Sequence, residues 1–136
     1  LDVPFKEARR LLAAYHETRP GIKRLNENIA QTLESRGYIS NLYGRRLRID
    51  EPHKALNALI QGSAADQAKA AMILYQQTRQ DSRLLLSVHD ELVISAPVEH
   101  IEREANCLMN AMCNAVTLDV PMVSDYKVGS TYQETK

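Results

Sequence analysis

Leu84-Leu85-Leu86-Ser87-Val88, then His89-Asp90-Glu91, then Leu92-Val93-Ile94-Ser95: two apolar runs enclose one polar triplet. Each run is too short for a buried helix, so each reads as a strand. The triplet between them reads as the turn of a hairpin. The expectation is a buried β-hairpin with two adjacent carboxylates at its tip. Carboxylates near a core are costly unless something compensates them, and a divalent cation does so through hard oxygen ligands. A solvated turn that is merely acidic accounts for the same residues.

Upstream of the hairpin a long helical segment is expected from Glu51 to about Arg79. Leu56, Leu59, Ile60, Ser63, Ala64, Gln67, Ala68, Ala71 and Met72 trace one stripe along it. Its many alanines, and Gly62 within it, imply close packing against a neighbour. Before it, residues 38–49 read as a short hairpin turning near Tyr43-Gly44-Arg45, with Leu47 and Ile49 alternating against Arg46 and Arg48. Two helices open the chain. Asp2 and Pro4 mark the start of the first, Arg19-Pro20-Gly21 breaks it, and Gly37 suits the C-terminal cap of the second. Downstream, Pro97 opens another helix through Val98, Ile101, Ala105, Leu108, Met109 and Met112. The stretch from Val120 to Val128 is expected to close as a strand. The order is helix, helix, hairpin, long helix, hairpin, helix, strand, an α+β pattern without internal repeat or linker.

Composition narrows the class. With 136 residues the chain makes one domain rather than two, and 44% apolar with 25% charged residues excludes collagen-like, low-complexity and disordered sequences. Two cysteines, Cys107 and Cys113, make neither a disulfide framework nor a zinc site, because no CxxC pair occurs. No apolar run approaches the length of a membrane span, and none of the signal-peptide type opens the chain. Seventeen basic and 17 acidic residues cancel to zero, which by itself argues against a small basic nucleic-acid binder. The balance hides a split. Residues 1–89 carry 14 basic against 9 acidic groups, and residues 90–136 carry 3 against 8.

Two further groups carry candidate chemistry. His53, Asn57 and Gln61 follow one another at intervals of four, which on a helix makes one ridge of an imidazole and two amides. Such groups suit contact with base edges in a groove, although a polar stripe facing solvent is the commoner meaning of such spacing. The cluster Arg45-Arg46-Leu47-Arg48, with Arg36 and Lys54 nearby, suits phosphates or a charged edge hairpin. Ser87, His89 and Asp90 lie too close in sequence for a catalytic triad, and no H-E-x-x-H, Walker or GxGxxG motif occurs. The methionines sit at helical spacing and read as core.

Taken together, these segments resemble the C-terminal part of the polymerase domain of family A (bacterial polymerase I-like) DNA polymerases. The resemblance rests on Gly37-Tyr38-Ile39, on Gly44-Arg45-Arg46, on Asn57-Ala58-Leu59-Ile60-Gln61-Gly62-Ser63-Ala64-Ala65-Asp66, and on Val88-His89-Asp90-Glu91-Leu92. The third stretch is similar to the family's N-x-x-x-Q-G-T-A-A-D helix, and the last to its V-H-D-E motif. The resemblance implies that Asp90 is the metal-binding catalytic carboxylate, that Glu91 tunes the same site, and that His89 lies beside the primer terminus. It implies that Asn57 and Gln61 touch the primer-template duplex in its minor groove, where acceptors common to all base pairs report pairing shape. With His53, Arg45 and Arg46 these make the expected DNA-binding set. His53 stands where an Arg is usual and Ser63 where Thr is usual, and the stretch around His53 looks more like phage members. Tyr132 stands where many relatives have Trp, and no role is assigned to it.

Two family motifs do not occur in the 136 residues: the D-Y-S-x-I-E-like strand that brings a second aspartate, and the K-x-x-x-F/Y-G-like helix that holds the triphosphate. The expectation is therefore a piece of a longer protein, with residues 1–50 the C-terminal part of the fingers and residues 51–136 a palm portion carrying the catalytic hairpin. The implied function is a DNA-directed DNA polymerase that extends a primer 3′-OH with deoxynucleoside triphosphates by two-metal phosphoryl transfer, in replication and repair. Mg²⁺ or Mn²⁺ is the implied cofactor. The implied partners are primer-template DNA, deoxynucleoside triphosphates and the missing N-terminal part of the enzyme. No membrane is implied, the compartment is the cytoplasm of a bacterium or phage-infected host, and this chain alone is expected to be inactive. The rivals are a non-catalytic DNA-binding remnant or interaction module with the same fold, and a single-subunit RNA polymerase.

Overall fold

A computed structural model of the chain describes residues 3–135. The helix start expected at Asp2 lies outside them. The chain divides into two compact units, Leu1–Gly62 and Ser63–Lys136.

In the first unit, α1 (Phe5–Thr18) is followed by α2 (Pro20–Arg36). Pro20 ends the first helix and starts the second. It has no N–H to continue α1, it suits the first position of α2, and it holds Arg19 away from helical geometry at φ −133°, ψ 64°. Gly37 closes α2 at φ +72°, its N–H donating to the Leu33 carbonyl at 2.8 Å, as its glycine character implies. Strands β1 (Ile39–Ser40) and β2 (Arg46–Leu47) pair antiparallel with Ile39 opposite Leu47. The core of the unit gathers Ile29, Ile39 and Ala55, with Leu33, Leu47, Ile49, Leu56 and Leu59 packed against it. The alternation along residues 46–49 therefore holds, with leucine and isoleucine inward and the arginines outward.

The long helix α3 runs over Ala55–Thr78, after a 3-10 turn at Pro52–Lys54. Ser63 and Ala71 of the expected stripe are buried and Leu56 and Leu59 half-buried, whereas Ile60 is 57% exposed and Ala64 is exposed. Burial along the helix is thus sparser than the stripe implied, with Ala55, Ser63, Ala71 and Tyr75 its buried residues among those described.

In the second unit, β3 (Arg83–Val88) and β4 (Glu91–Ser95) form the expected hairpin, with Leu84 opposite Ile94, Ser87 opposite Leu92 and Val88 opposite Glu91. An irregularity falls between Leu84 and Leu86. A 3-10 turn at Val98–His100 leads into α4 (Ile101–Asn114), so the helix after Pro97 starts one turn later than expected. Leu92 and Ile94 pack on a core of Tyr75, Leu108 and Ala111, joined by Leu74, Cys107 and Met112. Two expectations are corrected here. The hairpin is covered on one face rather than buried, for Leu85 is 56% and Leu86 47% exposed. The segment Val120–Val128 is irregular rather than a strand, since among the described residues neither edge of the β3–β4 ladder takes a third strand.

Candidate functional site

Two residues, His89 and Asp90, close the β3–β4 hairpin, with Val88 and Glu91 as the last cross-strand pair. His89 has φ +55°, the sole non-glycine residue in the left-handed region among those described. Two-residue hairpin turns need a positive φ at their first central position to match strand twist, and glycine normally supplies it. An imidazole held there costs about 1 kcal/mol and is aimed by the turn rather than by choice of rotamer alone. His89, Asp90 and Glu91 are all exposed. Of the two readings open for the triplet, the solvated acidic turn is the one that the exposure of these residues matches. Their charges are solvated at the tip, so folding alone demands no compensating ion.

Asp90 makes no hydrogen bond or ion pair with any described residue, and an oxygen of Glu91, Oε2, accepts from the Tyr132 hydroxyl at 3.4 Å. Adjacent hard oxygen donors suit Mg²⁺ or Mn²⁺. Among the described residues no group of three His, Cys, Asp or Glu gathers closely enough to hold an ion. The hairpin therefore offers part of a coordination shell.

A buried carboxylate that the sequence did not single out braces this hairpin from behind. Glu104 on α4 is 1% exposed. Its Oε2 accepts from the Ser82 hydroxyl at 2.5 Å and its Oε1 from the Asp81 N–H at 3.3 Å. Arg103 donates through Nη2 at 3.1 Å and also bridges to Asp81. Burial pushes the Glu104 carboxyl up, but the Ser82, Asp81 and Arg103 donors outweigh it and hold the group at about 2. Tyr75 hydrogen-bonds the same Ser82 hydroxyl, and its burial raises the phenol. Asp81 and Ser82 immediately precede β3, so the network fixes where the strand begins. Glu104 sits among Arg103, Glu102 and Ala105 and reads as surface helix; pairing with a turn more than 20 residues away leaves no local signal.

In the first unit, Asn57 and Gln61 project from the opening turns of α3, one turn apart and both exposed. His53 does not extend their ridge. It lies in the 3-10 turn, whose three residues per turn break the α-helical register, and its Nε2 is 3.4 Å from Glu51 Oε2. The arginine turn is tied down. Arg45 Nη2 donates to the Gly62 carbonyl at 3.0 Å, and the Arg46 guanidinium lies 4.8 Å above the Tyr38 ring. Buried Asn41 organises the turn, its Oδ1 accepting from the N–H groups of Tyr43 and Arg45 and its amide donating to Gly62. Gly62 sits close to β2, for a Cβ there would meet Leu47 Cδ1 at 3.2 Å, a tight contact. No spacing in the sequence pointed to Asn41.

Helices and small antiparallel hairpins, one of them tipped with adjacent acids, make up the described chain. The family model for DNA polymerase family A matches residues 1–134, and the chain belongs to that family. It is 40% identical over 152 aligned positions to DNA polymerase I of Bacillus caldotenax, matching 100% of this chain and 17% of that protein. To DNA polymerase I of Deinococcus radiodurans it is 35% identical over 150 positions, again across 100% of the chain and 16% of the relative. A solved structure, the polymerase domain of Pol1 from M. smegmatis in complex with DNA primer-template and dNTP, superposes with a TM-score of 0.82. That likeness covers 88% of this chain and 24% of the other, at 32% identity. The chain thus spans about one sixth of the length of the curated relatives it matches. No described helix is long and apolar enough to cross a membrane.

Proposed function

We propose that these residues serve template-directed DNA synthesis, as part of an enzyme that adds deoxynucleotides to a primer 3′-OH during replication and repair. The observation that carries the reading is the hairpin tip, where Asp90 and Glu91 stand side by side in water on a ladder braced from behind. Residues 1–50 are read as the end of a fingers subdomain and residues 51–136 as a palm portion. In the proposed reaction Asp90 would hold the divalent ion, Mg²⁺ or Mn²⁺, with Glu91 in support, and such an ion when bound would supply Lewis-acid activation of the attacking hydroxyl and charge neutralisation at the triphosphate. His89, aimed by its strained turn, contacts the primer end. Asn57 and Gln61 present amides to minor-groove acceptors shared by all correct pairs, so they report the geometry of a pair and not its identity. His53, Arg45 and Arg46 belong to the same DNA-facing set. Since Arg45 and Arg46 are also tethered to Gly62 and Tyr38, they act from fixed positions. The reading places the protein in the cytoplasm of a bacterium or a phage-infected host.

Asp90→Asn, made in the polymerase that contains these residues, tests it. Primer extension is expected to fall at least about a thousandfold, because several kcal/mol of charge stabilisation depend on the ion. Primer-template affinity is expected to stay within about threefold, since a metal ligand is removed and no phosphate contact. Retained turnover with a large loss of DNA affinity sinks the assignment and favours a DNA-binding module without catalysis.

A further inference from the structure

We propose that Tyr132 is a positioning residue for the Glu91 carboxylate, delivered to it by a closed turn at residues 129–135; the inference rests on the polymerase reading of the hairpin tip. Tyr132 opens a 3-10 turn, Tyr132–Thr135, and its hydroxyl reaches Glu91 Oε2 at 3.4 Å from 41 residues further along the chain. The turn is built to hold that reach. The Ser130 N–H donates to Glu134 Oε2 at 2.7 Å, the Glu134 N–H to the Thr131 carbonyl at 3.1 Å, and the Thr135 hydroxyl to the Tyr132 carbonyl at 2.8 Å. Gly129 is what lets it close. A Cβ at that position would stand 2.6 Å from the Glu134 Cβ and 3.2 Å from the Thr131 carbonyl oxygen, so any other residue forces the turn open.

The Glu91 backbone is pinned opposite Val88 in the last pair of the ladder, while its side chain is exposed. An exposed glutamate samples many rotamers, and holding it in one costs side-chain entropy. A phenol donating to one oxygen narrows that set before any ion arrives. Groups that orient metal ligands from behind alter metal affinity by tens of fold when removed. At 3.4 Å the present contact is long for an O–H···O bond, which places its effect toward the lower end.

The test uses the polymerase containing these residues, bound to primer-template, with Mn²⁺ as the probe and its binding measured by electron paramagnetic resonance. Tyr132→Phe keeps the ring and removes only the donor. It is expected to weaken Mn²⁺ binding roughly three- to tenfold. In a Glu91→Gln background the same Tyr132→Phe change is expected to alter binding by less than about twofold, because a residue acting through Glu91 has nothing left to act on. A loss of equal size in both backgrounds, or no loss in either, overturns the inference, as does an unaltered protein that binds no Mn²⁺. The polymerase reading falls on a different result, an unaltered protein that extends no primer in Mg²⁺. In that event the Mn²⁺ cycle alone still decides the role of Tyr132.

Discussion

Removing the charge of Glu104 is expected to make the second unit less stable at neutral pH and indifferent to acid. The side chain is 1% exposed and held at about 2, against an ordinary value of 4.5. A carboxyl with a depressed folded-state value contributes stability that is present above the unfolded value and lost as pH falls through the folded one. The window therefore opens near pH 4.5 and closes near pH 2. The full difference corresponds to about 3 kcal/mol at neutral pH. Arg103 and Asp81, two of its partners, are 43% and 47% exposed at their side chains, so solvent screens part of that and about 2 kcal/mol is the better expectation. Glu104→Gln keeps the shape and one acceptor but turns an N–H₂ toward the donors from Ser82 and the 80–81 backbone. Urea unfolding followed by far-UV circular dichroism, at pH 7, 4.5, 3 and 2.5, reads the comparison. The gap between parent and Glu104→Gln should stand near 2 kcal/mol at pH 7 and shrink steadily below pH 4.5. A gap under about 0.5 kcal/mol at pH 7, or one that does not shrink in acid, would falsify the bracing role.

Two other substitutions probe the turns that carry the candidate site. His89→Val should cost about 1 to 2 kcal/mol more than His89→Gly in thermal unfolding, because a β-branched residue is far worse than glycine at φ +55°; equal melting temperatures would show that the turn holds no strain. Asn41→Ala removes the one oxygen that accepts from two turn N–H groups and a donor to Gly62, and should cost about 2 kcal/mol while speeding amide exchange at Tyr43 and Arg45. Unchanged exchange there would mean that the arginine turn is organised by something else.

The parts of the fold legible in sequence are those with a local cause. Pro20 and Gly37 bound α2 through backbone restrictions that need no partner, and the period of two across Arg46-Leu47-Arg48-Ile49 marks a half-buried strand whatever it packs on. The hairpin and its tip were legible for the same reason, since apolar runs flanking a polar triplet leave few other options. The Val120–Val128 segment looked as strand-like as β4 by composition. Strand formation needs a paired edge, and none of the described strands pairs with it. His53 failed in the opposite way: its spacing of four from Asn57 was real, but the Pro52 turn it sits on is not α-helical. The acids and amides were singled out from motifs, while Asn41 and Glu104 were not, and Tyr132 received no role, because their partners lie far along the chain or on the backbone.

By itself the sequence determined which chemistry the chain can offer. Oxygen donors at a turn, amides one helical turn apart and an arginine pair after a glycine are properties of residue type and short spacing. Family membership followed from the same short stretches, and the match across residues 1–134 agrees with it. What only the tertiary structure decided is how those groups are held. Solvent, not a core, surrounds Asp90 and Glu91 at the hairpin tip, and residues of α3 and α4 pack against Leu92 and Ile94 further along the ladder. A glutamate buried behind the hairpin sets where β3 begins, and a tyrosine 41 residues away reaches the rim carboxylate. Contacts of that kind depend on chain closure over long loops, which no local propensity encodes.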